Sequence, residues 1–365
     1  MWKSWINILK ALKDSININP NKIYFNFCIL IHWDKKTRAI EDAIIIILSF
    51  PDTIVRPAYW ESTSKIWPKI GIGNKHAIKA GHSALLLIKK NDSKINYFDF
   101  GRYITSYGKG RVRSAETDPE INIPIDAKFK NNTLINLKEI LLWLEKHPEK
   151  THGYGRLVAS TNDKINYNKA LNFIQSLIHK KELPYGAFVK KGSNCARFVT
   201  DTIINSCTKK NIILKLKSSY ILTPSPIGNT LKGKTQETVF TIKNQIIKEY
   251  KNRSILKEYR MTFFNKFENE LNLIGTEFTD IEKFNLSNAT WLPGIGSGAW
   301  FKIENKLNDN YYRIVRYCYR GNKDFESIFT VNKSCFNHQK EHLFVHPTNC
   351  KEVIVKQNDE IYTFK

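Results

Sequence analysis

Gly192-Ser193-Asn194-Cys195-Ala196-Arg197-Phe198-Val199 is the stretch on which the reading of this 365-residue chain turns. Ser193 and Asn194 are good N-cap residues, and behind them Phe198, Val199, Ile203 and Cys207 recur at helical spacing. The spacing predicts a helix that opens at Cys195. A cysteine in a first turn faces the positive end of the helix macrodipole and several unpaired backbone N–H groups, and both favour thiolate over thiol. The same N–H groups can hold an oxyanion. Most free cysteines, however, are simply small buried residues, so the stretch needs partners before it implies chemistry.

The partners lie upstream. Gly81-His82-Ser83-Ala84-Leu85-Leu86-Leu87-Ile88 puts a histidine at the mouth of an apolar strand, and Tyr97-Phe98-Asp99-Phe100-Gly101 returns an aspartate between aromatics. The turn-like Lys89-Lys90-Asn91-Asp92-Ser93 joins them as a hairpin. Counting back from the turn, His82 and Asp99 fall at the same end. A carboxylate there can fix the imidazole tautomer while the other ring nitrogen faces a cysteine. His76 competes for the base role, but Gly73-Asn74-Lys75-His76 reads as loop, so His82 is preferred.

The rest of the chain organises around this core. Residues 43–50 read as a buried strand ended by Pro51-Asp52. Helical stripes run through Leu137, Ile140, Leu141 and Leu144, and through Tyr167, Ala170, Leu171, Ile174, Leu177 and Ile178. The breaks suggest an N-terminal extension at 1–40, a first domain at 41–232, a charged helical connector at 233–270 and a β-rich domain at 271–365. In the last, 311–319 with 325–331, and 352–355 with 361–364, read as hairpins. Gly294-Ile295-Gly296-Ser297-Gly298 lacks the setting of a nucleotide-binding loop and reads as a tight turn.

Composition narrows the function classes. Hydrophobic residues at 42% and aromatics at 12% suffice for packed cores and argue against disorder as the main state. The longest apolar run, 43–48, is far short of the ~20 residues of a membrane span, and the N-terminus lacks a secretory signal pattern. A cytoplasmic protein is expected. Six cysteines without a CxxC pair suggest free thiols. The net charge of +23 raises nucleic acid as a partner. Against it, twelve arginines stand beside forty-five lysines, scattered without a basic block, so a nucleic-acid partner is not expected. Cys335, His338, His342, His346 and Cys350 are spaced without a knuckle. No metal and no cofactor are expected.

Together, Leu183-Pro184-Tyr185-Gly186 and Asn194-Cys195-Ala196-Arg197-Phe198-Val199 resemble the Pro-Tyr-x-x-Gly…Cys-x-x-Phe-Val signature of NlpC-type papain-like cysteine peptidases. With His82 and Asp99 ahead of Cys195, the order is that of the circularly permuted branch, which includes lecithin:retinol acyltransferase-like enzymes. Phe50-Pro51-Asp52-Thr53 and Ala80-Gly81-His82 resemble a bacterial subfamily of this type. The orienting position in that branch is commonly His, so Asp99 is a departure. The resemblance covers roughly residues 41–215. It implies an α+β fold: a permuted papain-like core with an antiparallel sheet and Cys195 at its helix start, followed by the β-rich domain. It also implies a thiol hydrolase or acyltransferase in which Cys195 attacks an amide or ester, His82 is base then acid, Asp99 orients it and Tyr185 helps hold the oxyanion. Peptide, peptidoglycan-like and acyl substrates all fit, and the oligomeric state is not legible. The alternative is an inactive papain fold serving as a binding or scaffold module.

Arg102, Tyr107 and Arg111, with Arg113 nearby, follow the Asp99 strand and are candidates for binding a substrate carboxylate or phosphate. Asp52, Arg56, Tyr59 and Trp60 are candidates for a second cleft wall. The β-rich domain is expected to border the cleft and restrict substrates without supplying reacting atoms.

Overall fold

A run of β-branched residues forms the centre of the molecule. In the computed structural model, which describes residues 40–58, 60–74, 76–251, 254–263 and 286–365, strand β1 (Ala43–Phe50) is buried along its whole length. It pairs antiparallel with β2 (His82–Lys89), which pairs with β3 (Ile95–Gly101). β3 in turn pairs with β4 (Lys109–Arg113). Helix α1 (Leu137–Lys146) and strand β5 (Leu157–Ile165) follow, then α2 (Tyr167–His179), β6 (Leu183–Pro184), α3 (Cys195–Ser206), α4 (Lys210–Lys217) and α5 (Pro226–Lys232). Strands β7 (Phe240–Lys243) and β8 (Ile246–Glu249) complete a sheet in the order β8-β7-β5-β1-β2-β3-β4-β6.

Both faces of this antiparallel sheet are covered, which explains why β1 reads as a continuous apolar run and not as an alternation. Ile44, Ile46 and Leu48 pack with Leu86 and with Ile140, Leu141 and Leu144 of α1. Ala43, Ile45 and Ile47 face the other way, onto Ala170 and Ile174 of α2 and Phe198, Val199 and Ile203 of α3. Phe198 stacks on Phe100 at 6.3 Å, fastening the cysteine-bearing helix to the aspartate-bearing strand.

The segment expected as a helical connector at 233–270 is corrected by the structure. It holds the β7–β8 hairpin, turned by Asn244 and Gln245 at φ 51° and 61°, before helix α6 (Ile255–Phe263). Its Lys, Gln and Glu content suits a helix, but pairing of β7 with β5 overrides that preference. Residues 1–39 and 264–285, which hold nearly all of the expected N-terminal extension, lie outside the described residues.

The C-terminal part is β-rich. Strands β9 (Thr290–Leu292), β10 (Ala299–Lys306), β11 (Tyr311–Cys318) and β12 (Lys323–Thr330) form one antiparallel sheet. β13 (Leu343–Phe344), β14 (Val353–Gln357) and β15 (Glu360–Phe364) form another. They enclose a core of Phe301, Tyr312, Ile314, Phe336, Val355 and Phe364. Two hydrogen bonds splice this part onto the end of β3: Ile104 N–H donates to the Ser297 carbonyl (2.8 Å) and Gly296 N–H to the Arg102 carbonyl (3.0 Å). Gly294 and Gly296 permit that approach. A Cβ on Gly294 would stand 2.3 Å from the Ile104 nitrogen, and one on Gly296 2.6 Å from the Tyr103 ring. Arg316 of β11 closes the seam on Asp118 and Glu120. Residues 41–365 thus make one compact unit.

Candidate active site

Register brings the first two groups together. Ala84 of β2 stands opposite Asp99 of β3, so His82, two residues before Ala84, shares a sheet face with Asp99 as its diagonal neighbour. His82 Nε2 lies 3.2 Å from Asp99 Oδ2. A carboxylate only accepts, so Nε2 carries the proton and Nδ1 is left for a second partner. The Cys195 side chain also hydrogen-bonds the His82 ring.

Cys195 opens α3, and the cap is the one its sequence calls for: Asn194 Oδ1 accepts from Arg197 N–H at 2.8 Å. The loop before the helix folds back on itself. Ser193 N–H donates to the Pro184 carbonyl, Gly186 N–H to the Ser193 carbonyl, and Tyr185 bridges Ser193 in parallel fashion. That fold-back carries Tyr185, ten positions before Cys195, to the helix start. Trp60 Nε1 donates to the Tyr185 carbonyl (2.5 Å), and Glu61 Oε1 accepts from Phe188 N–H (2.8 Å), holding the loop from the other side.

Asp99 is fully buried yet well provided with donors. Tyr97 Oη (3.0 Å), Arg113 Nε (3.0 Å) and Nη2 (2.5 Å), and Tyr103 Oη (3.5 Å) join His82 around it. Burial alone would favour the neutral acid, but Arg113 and His82 outweigh it and hold the carboxyl well below the ordinary range. Burial would likewise depress His82, but its bonds to Asp99 and Cys195 raise it to about 9. Near neutral pH the ring is therefore an imidazolium.

A cleft of about 70 Å³ opens beside the ring, lined by His82, Arg102, Tyr103, His152 and Tyr185, with Ile295 and Gly296 from the C-terminal part. His152 was not singled out from sequence. It follows the single helical turn Pro148–Thr151 in the left-handed conformation (φ 50°), a position with no motif around it. Burial and the Arg113 charge lower it to about 3, so it is neutral, and its ring packs on Tyr103 at 5.0 Å.

The candidate binding residues separate. Arg102 lines the cleft. Tyr107 is 70% exposed and packs edge-on against Trp60 at 5.1 Å, outside the cleft lining. Arg111 is turned away: its guanidinium forks onto Asp118 (2.6 and 2.7 Å), and Nε donates to the Tyr103 carbonyl (2.7 Å). The expectation that Arg111 faces the cleft is corrected, because a buried guanidinium is drawn to the acid that neutralises it. Arg113 serves Asp99, a role its sequence neighbours did not suggest. Arg56 also lines the cleft, Asp52 pairs instead with Arg156 (3.1 Å), and Tyr59 lies outside the described residues. His76 is exposed, in a turn held by Asn74.

Cys195, Cys207, Cys318, Cys335 and Cys350 are free thiols. Among the described residues no group of His, Cys, Asp and Glu is arranged to hold a metal ion, and no helix is long and apolar enough to cross a membrane. His338 and His342 pack edge-on against Tyr312 and Phe336 instead.

Comparison with known proteins divides the chain at the same seam. Residues 45–212 match the family described as type VI secretion system effector TseH-like, and residues 289–365 match the DUF6695 C-terminal domain. The crystal structure of the type VI secretion system effector TseH is similar to the chain with a TM-score of 0.34 and 14% identity, covering 57% of this chain and 98% of that one. Curated protein sequences give no match.

Proposed function

We propose that residues 41–232 form a permuted papain-like cysteine hydrolase or acyltransferase. One observation carries the reading: an imidazole bonded through Nε2 to a buried carboxylate also bonds the side chain of a cysteine at a helix start. The Cys195 thiolate attacks an amide or ester carbonyl and forms a C–S bond. The first-turn N–H groups of α3 and the Tyr185 hydroxyl donate to the oxyanion. Burial holds the Tyr185 phenol protonated, as a donor must be. His82, resting as imidazolium, gives its proton to the leaving group as the tetrahedral intermediate collapses. The neutral ring then takes a proton from water, or from an acceptor alcohol or amine, as that nucleophile releases the acyl group. Asp99 keeps Nε2 protonated and the ring aimed at Cys195 throughout. The match of residues 45–212 to TseH-like effectors supports this reading, and we extend it to a role as a secreted effector.

The test is thiol reactivity in the full chain. At pH 6 an ordinary thiol of pKa ~8.5 is less than ~1% ionised, whereas a thiolate paired with imidazolium stays reactive. Iodoacetamide should label Cys195 about 100-fold faster than Cys207, Cys318, Cys335 or Cys350, and His82→Ala should remove most of that advantage. Labelling spread evenly over the thiols would sink the proposal.

A further inference from the structure

Four arginines are buried among the described residues, and three have acid partners. Arg111 forks onto Asp118, Arg113 onto Asp99, and Arg316 reaches Asp118, Glu120 and Asp324. Arg102 differs. It is 7% exposed, no carboxylate pairs with it among the described residues, and its Nη1 has no hydrogen-bond partner at all. The side chain is nonetheless held in place. Nη2 donates to the Arg56 carbonyl at 2.7 Å. The guanidinium lies over the Tyr185 ring at 4.8 Å and faces the Trp60 ring at 5.7 Å. Its own backbone carbonyl is fixed by Gly296 N–H. A buried cation without a counter-ion is costly, and this one is preorganised on the wall of the cleft that His82 also lines.

We propose that Arg102 anchors a carboxylate carried by the substrate beside the bond that Cys195 attacks. The inference rests on the reading of Cys195 as nucleophile and narrows its substrates to acids. A carboxylate fits better than a phosphate because one guanidinium nitrogen is already spent on a carbonyl and Nη1 is the donor left without a partner. An uncharged amide at the same place leaves Nη1 buried without a charged acceptor, so the neutral analogue is selected against.

Iodoacetate and iodoacetamide alkylate a thiolate by the same displacement and differ in a carboxylate against an amide. The ratio of their rates at Cys195, divided by the same ratio at the exposed Cys335, reads anion recognition. In the wild-type chain this quotient should exceed one by about tenfold. Arg102→Gln should bring it down by most of that factor, and Arg102→Lys, which keeps charge without the fork, should hold part of it. Both rates falling together in Arg102→Gln, with the quotient unchanged, would show that Arg102 acts on the thiolate and overturn the proposal. A measurement on the wild-type protein covers the case in which the variants do not fold. Succinate should slow iodoacetamide labelling of Cys195, whereas succinamide should not; equal effects, or a stronger effect of inorganic phosphate, would overturn the assignment. Should neither reagent single out Cys195, the nucleophile itself is lost, a failure distinct from a reactive Cys195 indifferent to charge.

Discussion

The cleft wall and the seam between the two parts of the protein both bury arginine, and they treat it in opposite ways. At the seam, Arg316 and Arg111 are surrounded by Asp118, Glu120 and Asp324, so the local charges are met within the chain. At the wall, Arg102 keeps Nη1 unpaired. A network that joins two parts of a fold is complete when its donors and acceptors match. A surface prepared for a ligand is complete only when the ligand arrives. Arg113 stands between these cases: it belongs to the site by position, yet it is fully paired, because its task is to make a buried Asp99 tolerable.

That intermediate status gives the largest expected effect. Arg113→Met strands the Asp99 charge in the interior, and removing one member of a buried pair costs about 3–5 kcal/mol. Urea unfolding should show the loss as a lower midpoint. Adding Asp99→Asn should recover at least half of it, because the orphaned charge is then gone. A double variant as unstable as the single one would mean that Arg113 matters through its packing on Tyr103, over whose ring it lies at 4.0 Å.

Next in size is the pH dependence of His82. Its folded value of about 9 lies above the ordinary 6.5. Its contribution to stability is therefore full below pH 6.5 and is lost as pH rises through about 9, amounting to a few kcal/mol. The seam arginines stay charged over that range and contribute no such slope. Thermal unfolding at a series of pH values should show the decline in the wild-type protein and a flatter profile in His82→Gln. Asp99 works in the opposite direction: its depressed value supplies stability above the ordinary carboxyl range, lost only in acid.

How much of this was legible follows from where each residue gets its partner. The β2–β3 hairpin, the Asn194 cap and the register of His82 with Asp99 depend on local pattern, and the sequence carries them. β4 was not legible as a strand, because Lys109-Gly110-Arg111-Val112-Arg113 looks solvent-exposed until Asp99 and Asp118 arrive from elsewhere. β5 was missed for a related reason. Its buried Ser160 and Asn162 break the apolar pattern, and their acceptors, the Thr230 and Gly233 carbonyls, lie some seventy residues away. The glycine-rich stretch at 294–298 reads as a turn, but what its glycines permit is contact with residues 102–104, which only the folded chain reveals.

The seam itself can be probed at Arg316. Arg316→Met leaves Asp118 still paired with Arg111, so the charge left behind is shared and the cost is smaller than at Arg113, about 2 kcal/mol. The loss should appear in urea unfolding, together with faster proteolysis at the junction. If Arg316→Met matched Arg113→Met in cost, Arg111 would not be compensating for it, and the view of the seam as one shared network would fail.

The smallest effect is expected at the rim of the same seam. Lys351 reaches across it to Glu116, as Arg316 reaches to Asp118, and on a drawing the two pairs look equivalent. Their settings are not. Both side chains of the Lys351–Glu116 pair are 54% exposed, whereas Arg316 and Asp118 are each 2% exposed. In water the pair gains little Coulomb energy, must order two flexible side chains and is screened by salt. Lys351→Met should therefore change stability by about 0.5 kcal/mol or less, and less still at 0.5 M salt. Arg316→Met should keep most of its cost at that salt, because its surroundings exclude ions. Equal salt sensitivity of the two variants would mean that solvent reaches Arg316, and the contrast between a self-sufficient seam and an open cleft wall would have to be abandoned.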